Sequence, residues 1–212
     1  MKKLFFKICL LIAIICFAAI AKAQPFADEI ANFKKKDAVS FVGSSSFRKW
    51  EDVISYFPNY TIINRGFGGS TLPDVILYEQ EIIFPYHPKQ IVIYCGENDV
   101  ASSDTVSAQI VFDRFKKLYT DIRAVMPTVQ VLFVSLKPSQ SRWQMRNRMI
   151  GANKLIKKYL NKKNNAAFVS VWNDMLGADG KPMPDIFLSD NLHMNAKGYA
   201  IWQKLITPYL LK

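Results

Sequence analysis

Five short runs of β-branched and apolar residues alternate with longer amphipathic runs along the chain. The short runs are almost continuously apolar, as strands buried on both faces of a sheet are. We predict strands over 38–42, 60–63, 90–94, 129–135 and 167–172. The clearest helical pattern has apolar side chains at positions 111, 115, 118, 122 and 125 and ends at Pro127. Further helices are predicted over about 47–57, 72–82 and 142–162, and a last one after Asn195.

This alternation of strands and helices predicts a parallel sheet with helices on both faces. The length fits a three-layer α/β/α sandwich of roughly five strands. Ligands of such sheets bind outside the carboxyl ends of the strands. Polar segments follow the first three strands at 43–46, 64–70 and 96–99, and another, at 190–193, comes after the fifth. We expect these four segments to converge on one edge of the sheet.

The first 23 residues have the pattern of a secretory signal peptide. Lys2 and Lys3 precede an apolar stretch over 8–20, and an A-x-A cleavage sequence ends the segment. The apolar stretch is too short for the ~20 residues that span a bilayer, which disfavours a membrane anchor. A large residue before the cysteine disfavours the other alternative, a lipoprotein signal. We predict an exported protein, periplasmic or extracellular, with a single mature domain over 24–212.

Composition narrows the function classes. Half of the residues are hydrophobic and 13% are aromatic, which excludes intrinsic disorder. Removal of residues 1–23 takes away four lysines and no acids, so the net charge falls from +11 to +7. Cys95 is the one cysteine left, which excludes an internal disulfide, and we expect it to be a buried small side chain. Two histidines make a zinc site a poor interpretation.

The polar segments contain the components of nucleophilic acyl transfer. A serine hydroxyl needs an imidazole to take its proton, and the imidazole needs a carboxylate to hold its tautomer. Ser45 follows the first strand, and Asp190 and His193 lie three residues apart before the last helix. The developing oxyanion needs donors, which the backbone N–H of Ser45, that of Gly69 and the side chain of Asn98 can supply.

Four segments in this order, 41–45, 64–69, 96–99 and 190–193, resemble the blocks of the SGNH (GDSL-type) hydrolases. The stretches at 136–139 and 196–199 are similar to a secreted bacterial branch of that family. The resemblance implies a flavodoxin-like α/β/α fold and hydrolysis of esters without metal or cofactor. It implies that Ser45, Asp190 and His193 form the catalytic triad. It also implies that Ser45, Gly69 and Asn98 form the oxyanion hole.

The first block departs from the family pattern. The family usually has Gly-Asp-Ser, whereas Ser44 occupies the aspartate position here. The triad does not need that aspartate, because Asp190 fills the acid role. The serine run leaves Ser46 as the alternative nucleophile. Asn64, in the second block, is expected to bond the loop backbone, and His87 is expected in a surface turn.

We therefore expect an exported serine esterase acting on a small-molecule or carbohydrate ester with a short acyl group, such as acetyl. The alternatives are a lysophospholipase or broad acyl esterase, which an apolar acyl groove would favour, and a non-catalytic binding module, which only Ser44 supports. A flavodoxin-like phosphate binder is disfavoured, because one glycine follows the first strand.

One segment, 137–163, contains nine Lys/Arg and no acids. We predict a solvated basic helix face, with attraction to anionic glycans or to a membrane surface as the alternative. Nucleic-acid binding is not expected, because basic and acidic residues nearly balance in the rest of the mature chain and no recognition motif is present. The sequence leaves the oligomeric state open.

Overall fold

The computed structural model describes residues 39–212, and a sheet of five parallel strands forms its centre. The strands are β1 (Val39–Gly43), β2 (Ile62–Gly66), β3 (Gln90–Tyr94), β4 (Gln130–Val134) and β5 (Ala166–Val169). They lie in the order β2-β1-β3-β4-β5 across the sheet. The predicted α/β fold with a five-stranded parallel sheet is confirmed. The predicted signal peptide lies outside the described residues.

Eight α-helices occur in residues 39–212. They are α1 (Ser45–Arg48), α2 (Val53–Tyr56), α3 (Leu72–Leu77), α4 (Glu79–Ile82), α5 (Glu97–Ser102), α6 (Ala108–Val125), α7 (Arg146–Leu160) and α8 (Ala196–Ile206). Polar side chains begin the two clearest ones: the Ser107 hydroxyl accepts from the third N–H of α6, and the Asn195 amide oxygen accepts from two N–H groups of α8. None of the helices in this part of the chain has the length and apolarity to cross a bilayer.

Helices cover both faces of the sheet. Phe41 of β1 is in register, through β3, with Leu132 of β4, and successive side chains of a strand point to opposite faces. Phe133 therefore points away from Phe41 and packs on Phe115 of α6, with ring centroids 4.8 Å apart. On the other face Phe41 packs against Trp50, with a centroid distance of 6.1 Å. The sheet is thus the middle of three layers, as predicted.

The prediction of one continuous helix over 47–57 is wrong. The chain forms α1 and α2 with a turn between them, and the side chain of Asn64 explains the break. The Asn64 amide nitrogen donates to the carbonyl oxygens of Phe47, at 2.6 Å, and Trp50, at 3.3 Å. These carbonyls would otherwise accept the bonds of a continuing helix. Asn64 thus bonds backbone, as expected, although it lies inside β2 instead of a loop.

Other boundaries also differ from the predicted ones. The strand predicted over 60–63 is Ile62–Gly66, and the strand predicted over 167–172 is Ala166–Val169. The helix expected over 72–82 divides at Tyr78, whose buried ring packs edge-on against Phe67. The segment 96–99, expected as a polar loop, enters the six-residue helix α5, which is too short for apolar periodicity to reveal. This helix presents one polar side chain, Asn98, at the carboxyl edge of the sheet.

Candidate active site

Ser45 is positioned by a tight turn at the end of β1. Gly43 has φ 139°, and a Cβ atom there would lie 2.0 Å from the carbonyl oxygen of Tyr94, so only glycine fits. The N–H of Ser44 then donates to that same carbonyl at 3.0 Å. These contacts fix the chain against β3 and begin α1 at Ser45. The serine predicted as nucleophile therefore stands directly at the carboxyl edge of the sheet.

A chain of hydrogen bonds joins Ser45, His193 and Asp190. His193 Nε2 lies 3.0 Å from Ser45 Oγ, and His193 Nδ1 lies 2.5 Å from Asp190 Oδ2. The carboxylate can accept only, so Nδ1 carries the proton and Nε2 is left as an acceptor facing the serine hydroxyl. The structure thus brings together the three side chains predicted from segments 148 residues apart.

The loop before α8 fixes the relative positions of Asp190 and His193. Asp190 Oδ1 accepts from the backbone N–H groups of Leu192, at 3.0 Å, and His193, at 2.9 Å. A short antiparallel bridge between Phe187 and Met194 closes the loop. Burial by itself would raise the pKa of Asp190, but the hydrogen bonds from His193 and Leu192 outweigh it and lower this pKa to about 2.

Ser46, the alternative nucleophile, does not face the histidine. Ser46 is buried, and its carbonyl oxygen accepts a hydrogen bond from the Tyr199 hydroxyl at 2.8 Å. Its side chain interacts with the buried phenol of Tyr94. The hydroxyl of Ser46 thus points into the core. Of the two serines, the structure brings only Ser45 to His193.

Two backbone N–H groups at the site have no acceptor among the described residues. Ser45 is the first residue of α1, so its N–H has no intrahelical partner, and the preceding side chain does not cap the helix. Gly69 lies in the loop after β2 at φ 74°, a conformation that glycine adopts without strain. Both N–H groups belong to residues that line one pocket with His193. Ser45 and Gly69, both predicted for the oxyanion hole, therefore line the same pocket.

Asn98 has a fully satisfied amide. Its Nδ2 donates to Ser44 Oγ and to the Ser70 carbonyl oxygen, both at 2.9 Å. Its Oδ1 accepts from Arg142 at 2.8 Å. The Ser44 hydroxyl therefore accepts a hydrogen bond from Asn98, and this bond joins the first and third of the four sequence segments.

A buried charge cluster lies behind Asn98, and the sequence analysis missed it. Glu97 pairs with the fully buried Lys137 at 3.0 Å and with Arg142 at 3.5 Å, and it accepts from the Tyr94 hydroxyl. Burial would raise the pKa of Glu97, but the two cations outweigh it and lower that pKa. Burial lowers the pKa of Lys137, which Glu97 partly offsets. One signal was available, because Glu97 and Lys137 follow the adjacent strands β3 and β4.

The site opens into a pocket of about 290 Å³. Its described lining includes three cations and, as the one aliphatic side chain, Leu192. The lining residues are Ser45, Arg48, Lys49, Gly68, Gly69, Asn98, Arg142, Leu192 and His193. This volume is small for a long acyl chain.

The remaining predicted residues lie away from the pocket. His87 is exposed at the end of a 3₁₀ turn with φ 40°, as expected. Cys95 is buried, and burial raises the pKa of its thiol well above the ordinary value. The prediction that 137–163 forms a solvated basic face is wrong for two members, because Lys137 is wholly buried and Arg142 is mostly buried against Glu97. Within residues 39–212 no cluster of three metal-ligating side chains occurs.

The parallel sheet and the polar side chains at its carboxyl edge are those of an acyl ester hydrolase. Residues 36–201 match the GDSL-like lipase/acylhydrolase family. The chain belongs to this family and is a carboxylic ester hydrolase. The family resemblance seen in the sequence is thereby confirmed.

Solved structures with the same fold share little sequence with the chain. A GDSL-like lipase from Bacteroides thetaiotaomicron has 22% identity and a TM-score of 0.69, with 89% of this chain and 97% of that chain covered. An acetylxylan esterase from Geobacillus stearothermophilus, solved as a catalytic mutant, has 14% identity and a TM-score of 0.64, with 82% and 94% covered. A carbohydrate esterase family 3 protein from Talaromyces cellulolyticus has 17% and 0.63, with 82% and 96% covered. No curated protein matches the chain by sequence.

Proposed function

We propose that the protein is an exported serine esterase that works through Ser45, His193 and Asp190. The observation that carries this is the 3.0 Å contact between Ser45 Oγ and His193 Nε2, with Asp190 bonded to the other ring nitrogen. Ser45 attacks the ester carbonyl while His193 takes the hydroxyl proton. His193 then gives that proton to the leaving alcohol, and Asp190 stabilises the imidazolium. Water, activated by the same imidazole, releases the acid from Ser45.

The proposed oxyanion hole uses the N–H groups of Ser45 and Gly69 together with the amide of Asn98. Both hydrogens of Asn98 Nδ2 already have acceptors, so one of these acceptors must be exchanged for the oxyanion. The peptide oxygen of Ser70 is fixed, whereas the Ser44 hydroxyl can rotate and give up its place as acceptor. Arg142 holds the amide from the opposite side by donating to Oδ1. Arg142 and the Ser70 carbonyl oxygen thus keep the amide in place, and only its contact with Ser44 has to change when the oxyanion forms.

Asn98→Ala is expected to lower kcat by about 10²–10³ with a smaller change in KM, because an oxyanion donor acts mainly in the transition state. Steady-state kinetics with a soluble acetyl ester measure both constants. Gln109→Ala is the matched control, since it removes an amide that bonds only the exposed side of α6. A tenfold rise in KM at constant kcat would instead make Asn98 a substrate-binding residue.

The proposed substrates are short-chain esters, above all acetyl esters of carbohydrates. The pocket beside Ser45 is lined mainly by polar and charged side chains, with Leu192 as the one aliphatic side chain among the described residues. A pocket of about 290 Å³ has little room for a long hydrocarbon chain, so extending the acyl group adds little binding energy. Two of the solved neighbours are named as esterases of acetylxylan or of carbohydrates, which supports the carbohydrate half of the proposal. Export is proposed from the basic and apolar pattern of residues 1–23 alone.

A series of nitrophenyl esters of rising acyl length tests this function. We expect kcat/KM to be highest for acetyl, lower for butyryl and at least about tenfold lower for a long acyl chain, because a pocket of about 290 Å³ cannot enclose the longer chains. The mature protein, 24–212, is the sample. A kcat/KM that rises with chain length would favour the lysophospholipase alternative. No turnover of any ester, together with no labelling by a fluorophosphonate, would favour the binding module.

A further inference from the structure

The pocket beside Ser45 carries an excess of positive charge. Lys49 and Arg142 both line it, and Arg48 adds a further cation. Among the described lining residues there is no carboxylate. Two acids contact the lining: Asp190, which is bonded to His193, and Glu97, which is buried behind Arg142. Glu51 and Asp52 follow Lys49 in the chain, but they lie near Tyr199 and do not line the pocket.

Lys49 has a fixed backbone and, among residues 39–212, no ionic partner. Its N–H donates to the Ser45 carbonyl at 2.8 Å, so it follows the nucleophile by one helical turn. It is exposed, and its side chain makes no hydrogen bond or ion pair with the described residues. An exposed lysine is ordinarily well solvated, but one beside a pocket can reach an anion that is bound there.

Arg142 is only partly neutralised. Its side chain is 16% exposed and lies 3.5 Å from Glu97, but Glu97 also pairs more closely with Lys137, at 3.0 Å. One carboxylate therefore serves two cations. Among the charged side chains that line the pocket or contact its lining, and without Arg48, the cations Lys49, Lys137 and Arg142 outnumber the carboxylates Glu97 and Asp190. The surplus charge lies at the pocket wall, where screening by water is weaker than on open surface.

We propose that this esterase prefers substrates that carry a negative group on the alcohol part of the ester, a carboxylate or a phosphate, and that Lys49 and Arg142 bind that group. This rests on the proposed function, because a short acyl group leaves the alcohol part as the place for the charge. The triad and oxyanion hole contact the reacting atoms. The two cations contact the rest of the substrate and so determine which alcohol is accepted.

A matched pair of acetyl esters tests the preference. para-Acetoxybenzoate and para-acetoxybenzamide have the same shape and the same acetyl group, and they differ in one negative charge. We expect kcat/KM for the carboxylate to exceed that for the amide by about fivefold at low salt, since a solvent-accessible ion pair has an effect of this order. The ratio should fall as sodium chloride is added, because salt screens the attraction.

Variants of Lys49 locate the effect. We expect Lys49→Gln to lower the ratio about twofold to threefold and Lys49→Glu to bring it to one or below. A ratio of the two esters is insensitive to a general loss of activity or folding. Lys162→Gln is the control, because Lys162 is exposed beyond the end of α7 and does not line the pocket, so the same change of net charge should leave the ratio at the wild-type value.

The chemical source of the anion is separated by a third ester, para-acetoxyphenyl phosphate. A higher kcat/KM for the carboxylate ester than for the phosphate ester supports an acidic sugar as the alcohol part of the substrate. A higher kcat/KM for the phosphate ester supports a phosphorylated headgroup. Either result supports an anion site. Equal rates for charged and neutral esters, or a ratio unmoved by Lys49→Glu, would overturn this inference alone. No hydrolysis of any of the three esters would overturn the proposed function and this inference with it.

Discussion

Ser45→Ala is expected to abolish labelling by a fluorophosphonate and to lower kcat for acetyl esters by about 10⁴-fold or more, since no nucleophile remains to form the acyl-enzyme. Ser46→Ala is the matched control one residue away. Its hydroxyl faces the buried phenol of Tyr94 and not His193, so labelling and most of the activity should remain. Labelling measured by intact-protein mass, with kinetics alongside, distinguishes the two serines.

The two variants also separate chemistry from folding. Ser45→Ala removes an oxygen at the pocket wall and should leave the thermal midpoint nearly unchanged. Ser46→Ala leaves an apolar gap beside a buried phenol and should lower that midpoint by a few degrees. Labelling that survives in Ser45→Ala but disappears in Ser46→Ala would falsify the assignment of the nucleophile.

The sheet was predictable because its three central strands, β1, β3 and β4, are buried on both faces. The predicted strand 90–94 has the same bounds as β3. This strand lies between β1 and β4 and is covered by helices on both faces, so its side chains are buried. The catalytic segments were predictable for a related reason. Parallel strands bring their carboxyl ends to one edge, so Ser45 and Asn98, which follow β1 and β3, had to be neighbours in space.

What the sequence did not reveal depends on side-chain contacts between distant segments. The break between α1 and α2 results from the amide of Asn64, which bonds backbone 14 and 17 residues earlier. Lys137 looked like part of a solvated basic segment, although it is buried against Glu97, 40 residues away. Periodicity reports which face of an element is apolar, but a single buried ion pair leaves no periodic trace. The cationic pocket wall was missed for the same reason.

The ratio kcat/KM is expected to rise with pH and then to level off, because an imidazole that carries protons on both nitrogens cannot act as the general base. The base must be neutral to take the Ser45 proton, so activity is lost as pH falls. Asp190, with its pKa lowered to about 2, stays ionised near neutral pH and does not contribute an inflection there. The base that faces Ser45 is His193, and His193→Ala should lower kcat by about 10⁴-fold.

Asp190→Asn tests the acid separately from the loop that carries it. The asparagine Oδ1 can still accept from the backbone of Leu192 and His193, so the loop and the thermal midpoint should be preserved. The new amide nitrogen, however, cannot accept from His193 Nδ1, and the imidazole loses both its tautomer and its charge partner. We expect a loss of about 10⁴ in kcat.

The control for the pH profile is His87→Asn. His87 is the only other histidine of the chain, it is exposed, and asparagine tolerates its φ of 40°. Its profile should keep the wild-type inflection, because His87 lies far from the pocket lining. Near-full activity in His193→Ala with the inflection intact, or an inflection lost in His87→Asn, would show that the base is not His193.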